Sequence, residues 1–261
     1  MFKIIKKTIQ HGIVTVDYPN KPINTGAITG RPEVDAKKCT ACGECANGCP
    51  TGAIVSNGAD GPGFNIDECI FCSFCADICP YGALSMNHEF ELAVRDRQDL
   101  RASPLIVEKR DIPSEEYELL GERLEEGIKK RFGRSLQIRA VDAGSCNGCD
   151  NEINALNSPY NDLERFGIHF AASPRHADML LVTGPATRNM ELALIKTYNA
   201  TPGPKLVVAA GACALSGGIF RDSYATRNGI DSIVPVDVYI PGCPPRPQAL
   251  IYGILMAIRI P

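Results

Sequence analysis

Gly144-Ser145-Cys146-Asn147-Gly148-Cys149-Asp150-Asn151-Glu152 decides how the rest of this 261-residue chain is read. It follows an apolar run, Leu136 to Val141, and leads into a helical pattern, Ile153 to Leu156. Two thiols at this spacing on a strand-to-helix turn suit a redox dithiol, half a zinc site or half an iron–sulfur site. Only two cysteines lie downstream: Cys213 in Gly211-Ala212-Cys213, and Cys243 in Pro241-Gly242-Cys243-Pro244-Pro245. Each closes a strand-like run, Lys205 to Ala210 and Val234 to Ile240. Four thiols brought to one end of a sheet by three separate loops make a buried metal pocket, whereas a surface finger carries its ligands on one hairpin.

Around these loops the chain alternates strand and helix. Strands are predicted over Leu136 to Ala143, Ile168 to Ala172, Met179 to Thr183, Leu206 to Ala210 and Val234 to Ile240. Helices are predicted over Asn151 to Leu156, Asn189 to Asn199 and Pro247 to Ile258. Continuous apolar strands between helices indicate a parallel sheet covered on both faces, with ligands beyond the carboxyl ends of its strands. All four thiols follow such ends.

Upstream, residues 35 to 85 hold an internal repeat. Cys39-Thr40-Ala41-Cys42-Gly43-Glu44-Cys45-Ala46-Asn47-Gly48-Cys49-Pro50 aligns with Cys69-Ile70-Phe71-Cys72-Ser73-Phe74-Cys75-Ala76-Asp77-Ile78-Cys79-Pro80. C-x2-C-x2-C-x3-C-P is the bacterial ferredoxin spacing, in which the fourth thiolate of each run ligates the other cluster. Cys39, Cys42, Cys45 and Cys79 are therefore expected to hold one 4Fe-4S cluster, and Cys69, Cys72, Cys75 and Cys49 a second. Zinc sites prefer separated pairs of ligands to triplets.

A net charge of −3 excludes the basic face that non-specific nucleic-acid binding requires. No signal peptide is legible after Lys3, Lys6 and Lys7, so a reducing cytoplasm is expected and a disulfide framework is not. No run approaches the roughly 20 apolar residues that span a bilayer, and Ala249 to Ile258 reads as a buried core helix. No glycine-rich nucleotide fingerprint follows any strand.

From Cys146 to Met256 the chain resembles the cluster-bearing small subunit shared by energy-converting nickel–iron hydrogenases and respiratory complex I. The stretch at Cys146, Ser173-Pro174-Arg175-His176-Ala177-Asp178, Gly211-Ala212-Cys213, and Val236-Asp237-Val238-Tyr239-Ile240 with the Cys243 turn carry the resemblance. It implies that Cys146, Cys149, Cys213 and Cys243 hold a third 4Fe-4S cluster against a large catalytic subunit. The implied fold is an α/β parallel-sheet, flavodoxin-like C-terminal domain behind a small α+β ferredoxin-like domain. The Cys146–Cys149 spacing is similar to the hydrogenase branch, closest to the formate hydrogenlyase type, whereas complex I subunits usually have adjacent cysteines there.

The resemblance further implies electron transfer to a nickel–iron centre on a partner hydrogenase large subunit, or to a complex I 49 kDa-like subunit. An electron donor such as ferredoxin or a formate dehydrogenase subunit would feed the chain. Attachment to the inner face of the cell membrane would run through partner subunits. A quinone or sulfur oxidoreductase without nickel is the alternative. The expected division is an arm over 1–34, the ferredoxin-like domain over 35–92, a linker over 93–134 and the small-subunit domain over 135–261.

Several stretches carry less. Lys3 to Val16 suggests a short strand or hairpin, and the arm is either a tail or a strap on a neighbouring subunit. Asn87 to Leu92 suggests another strand, and Arg95 to Arg101 a solvated charged face. Ser114 to Arg131 has the caps and apolar stripe of a helix. Arg175 and His176 suit a salt-bridged loop or a partner-facing one. Asp150 and Glu152 suit helix-start carboxylates or a proton path. Ser216-Gly217-Gly218 suits close backbone approach to a cluster.

Overall fold

The structure is a computed structural model and describes residues 2–19, 21, 23, 29–56, 58, 61–101 and 133–258. The helix expected over Ser114 to Arg131 lies outside the described residues. The strand or hairpin expected from Lys3 to Val16 does not form; Phe2–His11 is an α-helix, α1. Ile4, Ile5, Thr8 and Ile9 fall on one arc at helical spacing, a pattern that overrides the β-branched content of the segment.

The cysteine-rich repeat folds into β1 (Pro32–Val34), α2 (Glu44–Gly48), β2 (Ile54–Ser56), β3 (Pro62–Phe64), α3 (Phe74–Asp77) and β4 (Leu84–Met86). β1 pairs antiparallel with β4, Pro32 opposite Met86, and β2 with β3, Ile54 opposite Phe64. Its own core is small: Cys45, Ile54 and Leu84 are buried, with Val34, Phe64 and the thiol carbons of Cys49, Cys75 and Cys79 packed around them. Residues 87 to 92 form no strand. The Asn87 side chain turns back to accept the Glu89 N–H at 3.0 Å, which ends the ladder.

The second half is built on β5 (Leu136–Asp142), α4 (Gly148–Ala155), β6 (Ile168–Phe170), β7 (Met179–Thr183), α5 (Arg188–Ala200), β8 (Leu206–Ala210), α6 (Ala212–Ser216), β9 (Val238–Ile240) and α7 (Pro247–Ile258). The strands form one parallel sheet in the order β6-β5-β7-β8-β9, with Ile138 opposite Met179 and Met179 opposite Leu206. That is the flavodoxin-like order, whose crevice opens where the connections reverse between β5 and β7. β7 and β8 are buried along their whole length, as strands covered on both faces must be. β9 is shorter than the apolar run from Val234 suggests. Pro235 has no N–H to give, and Asp237 joins Val207 through both its N–H and its carboxylate. No helix among the described residues is long and apolar enough to cross a membrane.

One face of the sheet packs on α4 and α7 through Ile138, Met179, Leu181, Val208, Ile153 and Leu250. The other face gathers Leu180, Val182, Val207, Leu194 and Leu215, and into this same cluster come Ile66, Leu92 and Leu100 from the first half of the chain. Ile66 is 1% exposed, and its N–H donates to Leu100 O at 2.9 Å. The repeat thus borrows the sheet's core. Ile66→Ala is expected to cost about 2–4 kcal/mol, read in denaturant melts, and to speed amide exchange in residues 29–101.

Candidate metal centres

The turn after β5 is built by two carboxylates. Asp142 Oδ1 accepts the N–H groups of Gly144 at 2.8 Å and Ser145 at 2.6 Å. Ser145 Oγ accepts from the Asn147 N–H at 3.0 Å and donates to Asp150 Oδ2 at 2.5 Å. Asp150 Oδ1 takes a further bond from Thr183 Oγ1 at 3.2 Å, which ties the turn to β7. Asp150 therefore positions the loop from inside the first turn of α4. Cys146 stands exposed before that turn, and Cys149 is buried within it.

Gly211 ends β8 with φ 91°, and a Cβ there would lie 2.6 Å from Cys149 Sγ. Gly242 has φ 146°, and its Cβ would lie 2.4 Å from Pro245 Cα. Both loops therefore need glycine to bring their cysteines in. Three of these thiols are shifted by burial and by their neighbours. Cys149 is pushed far up, first by burial and then by Cys213, Cys243 and Cys146. Burial likewise raises Cys213 to about 11, with Cys243 and Cys146 adding. Cys243 is raised by burial, then by Cys146 and, from the other half of the chain, by Cys72.

In the repeat, one cavity is walled by Cys39, Cys42, Cys45 and Cys79, and another by Cys49, Cys69, Cys72 and Cys75. The fourth cysteine of each run thus sits with the other run's triplet. The Phe71 N–H points at Cys69 Sγ (3.4 Å) and the Ala83 N–H at Cys79 Sγ (3.3 Å). Burial raises Cys69 to about 12 and Cys75 to about 11, with Cys72 and Cys49 adding to both. Cys45 is raised by burial. Cys79 is lowered, chiefly by the Ala83 N–H.

A single zinc ion would draw its sulfurs to about 2.3 Å from one point. Among the described residues no three His, Cys, Asp or Glu side chains converge on a single-ion site. In the repeat the thiols wall two cavities, with the Phe71 and Ala83 N–H groups aimed at sulfur, and beside Cys149 stands Gly211, where a Cβ would intrude. Those donors fit an iron–sulfur cube.

Arg95 to Arg101, expected as a solvated face, is in part the seam between the two halves. Asp67, fully buried, accepts through Oδ2 from Arg97 Nε at 2.7 Å and from Arg101 at 2.9 and 2.6 Å. Its Oδ1 is buried with no hydrogen bond among the described residues. Glu68 pairs with Arg101 at 2.9 Å and with Arg221 at 2.6 Å, and Arg221 also reaches Thr51 O at 2.8 Å. Ser216 Oγ donates to Asp67 O at 2.8 Å. Ser216 thus binds the two halves, a role beyond the close approach expected of it, while Gly218 brings its backbone to Cys213. Sequence reading missed this seam. Its only local trace is two carboxylates placed directly before Cys69. Arg175 and His176 are exposed on a 3-10 turn; Arg175 forms no ion pair among the described residues, and Arg134 pairs with Asp178 instead. Arg101→Ala is expected to lower stability by about 1–3 kcal/mol in denaturant melts and to expose residues 29–101 to protease.

Comparison with known proteins bears on these sites. Residues 146–257 match the family described as NADH ubiquinone oxidoreductase, 20 Kd subunit, and residues 38–84 match a 4Fe-4S dicluster domain. Formate hydrogenlyase subunit 7 of Escherichia coli is 51% identical over 133 residues, covering 51% of this chain and 52% of that protein. The "Probable membrane-bound hydrogenase subunit mbhJ" of Pyrococcus furiosus is 50% identical over 141 residues, 52% of this chain and 84% of that one. A NADH-quinone oxidoreductase subunit of Geobacter metallireducens is 53% identical over 107 residues, 41% of this chain and 62% of that one. A chain of the membrane-bound sulfane sulfur reductase, an archaeal respiratory complex, aligns at 39% identity with a TM-score of 0.43, over 49% of this chain and 74% of that one. The chain thus spans about half the length of the first of these relatives, and they are subunits of oxidoreductase complexes. Through residues 146–257, joined to a 4Fe-4S dicluster domain, the chain belongs to the 20 kDa subunit family of NADH–ubiquinone oxidoreductase.

Proposed function

We propose that the chain is the electron-transferring subunit of a membrane-associated, formate hydrogenlyase-like hydrogenase and holds three 4Fe-4S clusters. The ligand sets are Cys39, Cys42, Cys45 and Cys79; Cys49, Cys69, Cys72 and Cys75; and Cys146, Cys149, Cys213 and Cys243. When bound, such clusters supply one-electron transfer at each quartet. The observation that carries the reading is geometric: Glu68, next to Cys69, pairs with Arg221 of the loop after Cys213 at 2.6 Å, and Ser216, three residues after Cys213, donates to Asp67 O at 2.8 Å. The middle quartet therefore adjoins the third, and the Cys39 quartet is the outer end of the row.

The chain's own residues do three things in this reading. Phe71 and Ala83 aim N–H groups at ligating sulfurs, which favours the more negative, reduced state. The Asp67 and Glu68 pairs fix the middle quartet relative to the third. Cys146 and Cys243 are exposed, so the third quartet reaches the surface where a large subunit with a nickel–iron site would lie against it. Ile219, Phe220 and Tyr224, which follow Cys213, leave apolar surface in that part of the chain. All 12 cysteines are used in the three sets, so nickel ligation falls to the partner.

The quinone- or sulfur-linked reading is favoured by the 53% identity to a NADH-quinone oxidoreductase subunit. The hydrogenase reading is favoured by the two residues between Cys146 and Cys149. Metal analysis of the purified complex separates them: nickel in stoichiometric amount supports the hydrogenase, and its absence supports the other. In the isolated chain, about twelve irons are expected. Gly211→Val should reduce this to about eight by forcing a Cβ against Cys149, while the repeat's cluster signals persist. Cys243→Ala should abolish turnover of the complex while those same signals survive in EPR. Full activity of that variant would remove the third quartet from the path.

A further inference from the structure

The most conspicuous feature left unused by this function is α1. Around its axis Ile4, Thr8, Ile5 and Ile9 occupy one continuous arc, and Lys6, Gln10, Lys3, Lys7 and His11 occupy the opposite one. Among the described residues the apolar arc joins no core cluster: Ile4, Ile5 and Ile9 are 72%, 51% and 78% exposed. The apolar surface continues past the helix through Ile13 and Val14, both exposed. The first acidic residue of the chain is Asp17.

The segment is held to the body just beyond this surface. Thr15 Oγ1 donates to Pro159 O and the Val16 N–H to Tyr160 O, each at 2.8 Å. Tyr18 is buried, and its hydroxyl donates to Glu91 at 2.7 Å. The helix therefore projects from a fixed point, beside the half-exposed ring of Tyr160.

We propose that α1 lies in the headgroup plane of an anionic lipid bilayer, with Ile4, Ile5 and Ile9 among the acyl chains and Lys3, Lys6 and Lys7 among the lipid phosphates. Ten residues of helix reach about 15 Å, half the hydrocarbon thickness, so the helix lies flat rather than spanning. A narrow apolar stripe backed by mixed charge would suit a protein groove. A broad apolar arc backed by a polar arc whose only fixed charges are the cations Lys3, Lys6 and Lys7, with no carboxylate on the segment, matches an interface whose fixed charge is negative. Such a short helix gives a weak, salt-sensitive contact. It serves to orient a subunit that partners already hold near the membrane.

The test uses the full, cluster-loaded chain under anaerobic conditions, floated with protein-free vesicles. One set is phosphatidylcholine alone, and the other is equal parts phosphatidylcholine and phosphatidylglycerol. The unmodified chain should float with the anionic vesicles and be released by high salt. Ile5→Asp with Ile9→Asp should lower its partition about ten-fold or more, and Lys3→Gln with Lys6→Gln and Lys7→Gln should remove the salt dependence. Because the chain contains no tryptophan, Ile9→Trp supplies a single reporter, whose emission should shift to the blue only with anionic vesicles. Every altered position is exposed, so unchanged cluster absorbance reports that the fold is kept. Failure of the unmodified chain to float, equal flotation of the aspartate variant, or an unshifted reporter would overturn the proposal. So would binding that appears only when integral membrane proteins are present in the vesicles, which would assign this face to protein.

Discussion

A buried carboxylate governs the arrangement. Asp67 sits at the seam with no exposure, and taking its charge out of water costs several kcal/mol. Three N–H contacts from Arg97 and Arg101 offset that cost. Its net contribution to stability is accordingly small, and its consequence is geometric. A wrong docking angle would strand a charge, whereas a greasy seam would tolerate slippage. Glu68 extends the same constraint to Arg221, eight residues beyond Cys213. Cysteines far apart in sequence, those around Cys69 and those around Cys213, are thereby kept in register.

The other organising constraint is steric. Bringing Cys149, Cys213 and Cys243 to one place requires three loops from three parts of the sheet to share a space with no room for side chains. Gly211 and Gly242 answer that need with backbone angles that other residues rarely adopt. The sheet order supplies the rest. The crevice opens between β5 and β7, so the turn after β5 is free to hold two of the four thiols, while β8 and β9 each add one.

Much of this was legible in the residues alone, because ligand spacing and strand hydrophobicity are local properties. Cys39 to Cys49 and Cys69 to Cys79 carry their pairing rule in their intervals. Leu206 to Ala210 shows its double burial in its composition. What escaped notice was of two kinds. Lys3 to Val16 is rich in β-branched residues, and propensity misled where the helical period of Ile4, Ile5 and Ile9 was the better guide. Arg97 and Arg101 look like solvent-facing charge, because their partner Asp67 lies about thirty positions away and nothing local announces it. Ser216 was unreadable for the same reason, its acceptor being a backbone carbonyl in another part of the chain.

The exchange of fourth cysteines between the two halves of the repeat has a consequence for the newly made polypeptide. The cavity around Cys39 is incomplete until Cys79 has arrived, and the one around Cys69 until Cys49 has. Neither half closes its own cavity, so the two halves of the repeat must fold against each other before either pocket exists.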